Sequence, residues 1–310
     1  MRVKLLQMTQ NPIDIMWTAA RTCYSEKSPI EMWDNRYFIE GELTEDETID
    51  NYNFKQEKMW KLVKKVLDSG HLSVCEHINF TFAIEGVSRA LLAQLTRHRA
   101  GVAFSVQSQR YVEIKENRQE LMDILNRYSA PEMYALCDKY FVRFKDMIPS
   151  DLIRTLLQYR DLIEGGCKPE DARMVLPNAT KTNITMTVNL RELMHVANLR
   201  LCSRSQLEIR QLFQEIKKEV EKVEPKFAEF LVPTCEVHGF CTEHQCCGRK
   251  PKLEDFKGRR EQEMDLSKMD LSKMAKQILD DWTLSELKEF EERQKGFEEF
   301  MSLSEDERYD

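Results

Sequence analysis

"HINFTFAIEGVSRALLAQLTRHR", residues 77–99, reads as a strand that runs straight into a helix. Ile78, Phe80, Phe82 and Ile84 alternate with Asn79, Thr81, Ala83 and Glu85, the period of two that marks a strand with one buried face. From Val87 the apolar spacing becomes helical, and Ser88 is placed to cap the first turn. Arg97, His98 and Arg99 would close that helix, where cations favour the dipole. An apolar segment, "AGVAFS" at residues 100–105, follows at once, so these cations are not all left in water. An anion is expected beside them.

The same order recurs downstream in "TNITMTVNLRELMHVANLRLCSRSQLEIRQLFQEIKKEV", residues 182–220. Ile184, Met186 and Val188 share one strand face, and the segment then reads as one long helix. On that helix Arg191 and His195 are four apart, as are Arg200 and Arg204, so each pair is expected along one face. Asn189, Arg191 and His195 form a polar stripe on an otherwise apolar surface. Around these two units, "RVKLL" at 2–6 alternates as a strand and "NPIDIMWTAARTCYS" at 11–25 has helical spacing. Residues 31–68 read as loop and then a helix from Phe54, and residues 113–168 as mainly helical, closing in the turn "EGGCKPEDA". The fold class expected is α+β, a small sheet packed with long helices.

Charge divides the chain. The whole carries a formal −7, yet residues 1–253 hold 36 Lys and Arg against 35 Asp and Glu, and residues 254–310 hold 10 against 18. A near-neutral body with clustered arginines suits a small anionic ligand better than a nucleic-acid track, which needs an extended basic face. Residues 1–253 are expected to form one domain. Residues 254–310 are expected to be an acidic extension, helical or partly disordered, with the tandem repeat "DLSKMDLSKM" and a capping box at Thr283 and Glu286. No apolar run reaches membrane-spanning length and the start lacks the long apolar stretch of a secretory signal, so the cytoplasm is the expected compartment. Nine cysteines in a chain of 310 residues are expected as reduced thiols rather than a disulfide scaffold.

Neither G-x-G-x-x-G nor G-x-x-x-x-G-K-[ST] occurs, so a phosphate must be held by side chains rather than by a glycine-rich loop. The absence of G-x-S-x-G and H-E-x-x-H argues against hydrolase and zinc-protease chemistry. "CEVHGFCTEHQCCGRKP", residues 235–251, could give zinc the ligands Cys235, Cys241, Cys246 and Cys247, but its spacings match no standard finger or ribbon. An ordinary loop with reduced thiols is the alternative, and metal is not the expected reading. No cysteine sits in a visibly cationic setting except Cys202, between Arg200 and Arg204.

Taken together, "NPIDIMWTAARTCYS", "GHLSVCEHINFTFAIEGVSRALLAQLTRHR", "SVQSQRY", "PEDARMVLPNATKTNITMTVNLRELMHVANLRL" and "SQLEIR" resemble, in order and separation, the flavin-dependent thymidylate synthases, the ThyX family. The resemblance implies a homotetramer with active sites shared between subunits. It implies methylation of dUMP to dTMP with methylenetetrahydrofolate as one-carbon donor, reduced FAD as cofactor and NADPH as reductant. His71, Ser73, Arg97, His98, Arg99 and Ala100 would lie along FAD, and Asn189, Arg191 and His195 would approach it from another subunit. Gln94, Arg97, Ser108, Gln109, Arg110 and Arg173 would bind dUMP, and Arg200 would bind and activate its uracil. Arg200 stays protonated and so cannot be a base, but it can stabilise negative charge on the pyrimidine.

On this reading, residues 96–112 are a turn from the helix end into the nucleotide loop. The chain departs from the family pattern by having eight rather than seven residues between Arg99 and Ser108. Val106 stands where Glu or Gln is common, and Arg204 and Leu207 replace a common His and Trp. Two rival functions remain open from sequence: another flavoenzyme or nucleotide-modifying enzyme on the same scaffold, and a nucleic-acid-binding protein with a Cys/His zinc loop. The expected partners are dUMP and further copies of the chain, with no nucleic acid and no membrane.

Overall fold

The computed structural model describes residues 1–36, 49–127, 130–143 and 147–255. The chain divides into two compact units, Met1–Lys250 and Pro251–Asp310, and the first carries everything that follows. The tandem repeat and capping box of the C-terminal extension lie outside the described residues.

Four antiparallel strands form the centre: β1 (Arg2–Met8), β2 (Asn79–Ser88), β3 (Val102–Val106) and β4 (Lys181–Asn189), in the order β1-β2-β4-β3. The alternation read from sequence is the burial observed. Phe80, Phe82 and Ile84 of β2 and Ile184, Met186 and Val188 of β4 are buried on one face. On the other face the hydroxyls of Thr81 and Thr187 hydrogen-bond at 3.0 Å.

The buried face is covered by α1 (Pro12–Thr22), α3 (Ile49–Asp68), α9 (Leu190–Arg200) and α10 (Leu207–Val223), with α4 (Arg89–Leu95) packed at the end of β2. Short α2 (Pro29–Asp34), α11 (Pro225–Ala228) and α12 (Thr234–His238) complete the unit. A second apolar cluster joins α5 (Arg118–Arg127), α6 (Ala130–Tyr140) and α7 (Pro149–Glu164), and α8 (Pro169–Ala172) leads back towards β4. This is the α+β architecture expected. Among the described residues no helix is long and apolar enough to cross a membrane.

Four local readings are corrected. The apolar segment after Arg99 is not a turn but the edge strand β3, which pairs with β4 from Val102↔Val188 to Val106↔Ile184 without a shift in register. Val102, Phe104 and Val106 pack on the core, which is why apolar residues stand beside so much charge. The regular ladder also leaves any extra residue of this segment to the flanking turns.

The long helix after β4 is two helices. Leu201 ends α9, the Ser205 hydroxyl donates to the Leu199 carbonyl at 2.7 Å, and Arg210 Nη1 donates to the Ser203 carbonyl at 2.7 Å. Such local side-chain bonds offer the backbone an alternative to helix. Arg204 therefore lies in the break and shares no helical face with Arg200. Finally, α4 ends at Leu95 with Thr96 as its C-cap, so Arg97–Arg99 lie just beyond the helix, and α3 begins at Ile49, ahead of Phe54.

Candidate active site

The junction of β2 and α4 is pinned before any ligand is considered. Ser88 Oγ accepts from the Leu91 N–H at 3.0 Å, capping α4 as its sequence position predicts. Glu208 of α10 is 8 % exposed and accepts from the Ser88 N–H at 2.7 Å and from its hydroxyl at 2.5 Å. A buried carboxylate held by charge-assisted bonds fixes where α4 starts, and hence where Arg89 and the Arg-His-Arg turn project.

At the far end of α4, that turn meets α9. Arg200 donates to His98 Nε2 from Nε at 3.2 Å and from Nη2 at 3.0 Å. The imidazoles of His98 and His195 lie edge to face with centroids 6.4 Å apart. Burial lowers the His98 pKa below the ordinary 6.5, helped by the charges of Arg200, His195 and Arg97. His98 is thus a neutral imidazole at neutral pH. Burial, then the Arg97 charge, also lowers the Arg200 pKa, but a guanidinium stays cationic. Gln94 reaches towards the break after α9, its Nε2 donating to Gln206 Oε1 at 3.2 Å.

Beside this cluster a cavity of about 540 Å³ is lined by Ala100, Gly101, Asn189, Arg191, His195 and Asn198 among others. The N–H of Asn189 donates to the Gly101 carbonyl at 3.0 Å, tying the turn to the start of α9. Arg191 pairs with Glu76 at the cavity's edge. Asn198 contributes a buried Oδ1 that has no hydrogen-bond partner among the described residues. The volume lies within the range typical of small-molecule sites. Within one chain, residues of the Arg-His-Arg turn and of α9 are neighbours.

A second cavity, of about 630 Å³, is lined by Arg89, Gln107, Ser108, Gln109, Lys139 and Lys181 among others. Arg110 pairs with Glu170 at 2.7 Å, and Arg173 Nε donates to the Glu170 carbonyl at 3.0 Å, so both arginines converge on one short helix. Arg89 donates from Nη2 to the Gln107 carbonyl at 2.8 Å, while its buried Nε has no partner among the described residues. Burial and the Arg173 charge both lower the Arg89 pKa. Arg89 was not singled out from sequence, because an arginine on the first turn of a helix looks like an ordinary surface residue. Only the fold brings it under the influence of the Arg173 charge, so its sequence position carried no signal.

The expected residues therefore fall into two groups. Gln94, Arg97, His98, Ala100, Asn189, Arg191, His195 and Arg200 assemble at the α4–α9 end. Ser108 and Gln109 line the second cavity, and Arg110 and Arg173 meet at Glu170 without lining it. No cavity described holds residues of both. His71 and Ser73 sit exposed at the start of the 3-10 turn Leu72–His77, and neither they nor the exposed Arg99 line the first cavity, whereas Leu72 and Glu76 do. Among the described residues no cysteine lines either cavity. Cys75, buried beneath the 3-10 turn, has its thiol pushed up to about 12 by burial, which removes it as a nucleophile.

Cys235 of α12 and Cys241 and Cys247 of the loop after it line a small crevice with Cys202, Arg204 and Arg249, and Cys246 Sγ accepts from the Gly248 N–H at 3.3 Å. Among the described residues no three His, Cys, Asp or Glu side chains are grouped to hold a metal ion. Leu207 opens α10 and is exposed.

The model of the thymidylate synthase complementing protein family matches residues 4–226. The flavin-dependent thymidylate synthase of Nitratidesulfovibrio vulgaris is 35% identical over 254 residues, covering 81% of this chain and 95% of that protein. That of Haloarcula marismortui is 35% identical over 266 residues, covering 82% and 99%. A crystal structure of flavin-dependent thymidylate synthase ThyX from Helicobacter pylori, complexed with FAD and dUMP, has a TM-score of 0.54 and 23% identity. It covers 75% of this chain and 100% of that one, and supports the fold. With the family model matching most of Met1–Lys250 and its relatives matched almost end to end, this chain belongs to the flavin-dependent thymidylate synthases.

Proposed function

We propose that the two groups of residues are the two halves of a dUMP-methylating site that is completed between subunits of a homotetramer. The observation that carries this reading is the meeting of Arg97, His98, His195 and Arg200 beside the cavity of Ala100, Asn189 and Arg191. The residues fit FAD. Arg191 offers a cation to the pyrophosphate, and the amide of Asn189, the imidazole of His195 and the orphaned Asn198 Oδ1 offer bonds to polar ring edges. Bound FAD, reduced by NADPH, supplies the hydride and the route by which the one-carbon unit of methylenetetrahydrofolate reaches dUMP.

The chain's own contribution is orientation and charge. Arg200, held by His98, stabilises the negative charge that develops on the uracil as its carbon 5 becomes nucleophilic. Gln94 and Arg97 bind the nucleotide from the same side. Ser108, Gln109, Arg110 and Arg173 of a neighbouring subunit, joined by Arg89, hold its phosphate by side chains, as the lack of a glycine-rich loop requires. The thiols stay reduced in a cytoplasmic setting. The product is dTMP.

Titration of the purified protein with dUMP tests the site. A flavin absorption band near one per subunit, perturbed by dUMP and not by dTMP-free buffer, is the expected result. Protein that takes up no flavin when FAD is supplied overturns the reading.

A further inference from the structure

The start of α9 carries the pattern of a capping box, with Asn189 at the N-cap and Glu192 three residues on. Half of the box is made: Asn189 Oδ1 accepts from the Glu192 N–H at 2.9 Å. The other half would have the Glu192 carboxylate accept from the Asn189 N–H. That donor is already taken by the Gly101 carbonyl at 3.0 Å. The carboxylate turns instead to the Arg-His-Arg turn, where Glu192 Oε1 lies 3.6 Å from His98 Nδ1, with the two side chains only 13% and 10% exposed.

The opposite nitrogen fixes the chemistry of this contact. A guanidinium has donors and no acceptor, so the His98 Nε2 facing Arg200 must present its lone pair. A neutral imidazole with a free Nε2 carries its proton on Nδ1, the nitrogen that faces Glu192. The alternative tautomer would point an N–H at two guanidinium N–H groups and drive Arg200 away. We propose that Glu192 is a positioning residue, holding His98 as the Nδ1–H tautomer so that Nε2 anchors the Arg200 guanidinium against the pyrimidine.

The surroundings agree. His98 is faced by Arg97 on its own turn and by Glu192, His195 and Arg200 of α9, and a neutral ring suits a site already holding two guanidinium groups. At 3.6 Å the Glu192–His98 contact is longer than a formed hydrogen bond, and a shift of roughly half an ångström closes it, as catalytic contacts do when ligand binds. The inference rests on the reading of Arg200 as the group that acts on uracil.

Release of tritium from 5-tritiated dUMP by the full-length, FAD-loaded enzyme, with methylenetetrahydrofolate and NADPH, tests it in the wild type and four variants. Glu192→Ala is expected to lower kcat about tenfold, with KM for dUMP changed less than about twofold and flavin content unchanged. Glu192→Gln keeps an oxygen that accepts from Nδ1–H, and is expected within about threefold of wild type. In an Arg200→Lys background, Glu192→Ala is expected to cost less than about twofold, because the group it positions is already lost.

If the Ala variant fails to hold flavin, Glu192→Met fills the same volume without an acceptor and takes its place in the comparison. Wild-type kcat in Glu192→Ala, a Gln variant as slow as the Ala variant, or effects that multiply in the double variant would overturn the proposal. Wild-type enzyme that releases no tritium overturns the reading of the reaction itself, which separates the two failures.

Discussion

Gly101 lies so close to Asn189 that a β-carbon built on it would stand 2.1 Å from Asn189 Nδ2. Its φ of +62° is also one that L side chains rarely adopt. Asn189 cannot yield, because its side chain caps α9 and its N–H holds the Gly101 carbonyl. Gly101→Ala is therefore expected to cost about 1–3 kcal/mol from backbone strain alone and to empty the proposed flavin site. A lowered Tm with a flavin-to-protein ratio well below wild type is the outcome to look for. An Ala variant that folds with full flavin would show that the turn and α9 need not touch.

Arg89 was invisible in the sequence, yet its half-buried guanidinium feels the Arg173 charge and has an Nε without a partner among the described residues. Held by the Gln107 carbonyl, it faces the cavity of Ser108 and Gln109. If that cavity takes the nucleotide phosphate, Arg89→Ala removes a bond to a charged group, of about 1.5–3 kcal/mol. KM for dUMP should rise by tenfold or more while flavin content stays at the wild-type level. Equal KM values in the two proteins would move the phosphate elsewhere.

The state of His98 sets a pH dependence. Its pKa is lowered in the folded chain from 6.5, by burial first and by the neighbouring cations next. The folded state then binds fewer protons than the unfolded one below 6.5, so the contribution of His98 to stability is complete above that pH and is lost as pH falls through the folded pKa. Arg200 keeps its anchor over the same range. dUMP affinity is expected to hold steady from neutral pH to below 6.5 and to decline only in more acid solution. A binding midpoint above 6.5 assignable to His98 would mean that the ring is stabilised as a cation.

The parts of the fold that were legible are those where one physical signal dominates. Phe80, Phe82 and Ile84, and Ile184, Met186 and Val188, alternate because each strand buries one face, and Ser88 caps because a hydroxyl suits an N-cap. Strand β3 was hidden by its five residues, too short for a pattern and set between cations. The break after α9 contains neither Gly nor Pro, and the hydroxyl and guanidinium bonds that make it are tertiary choices of Ser205 and Arg210. Of the site, the arginines and histidines of the turn and of α9 could be named from sequence, but not that His98 and Arg200 bond to each other. His71 and Ser73 were expected beside the flavin, and the chain alone leaves them exposed.

Arg200 is proposed to stabilise charge on the uracil during methylation. The direct measurement is release of tritium from 5-tritiated dUMP by FAD-loaded enzyme, at saturating dUMP, with methylenetetrahydrofolate and NADPH supplied. Wild-type enzyme is expected to release tritium as dTMP forms, and Arg200→Ala to do so at a rate lower by about 10²–10³ with its flavin retained. Full turnover by the Arg200→Ala enzyme, or no release by the wild type, would rule out that role.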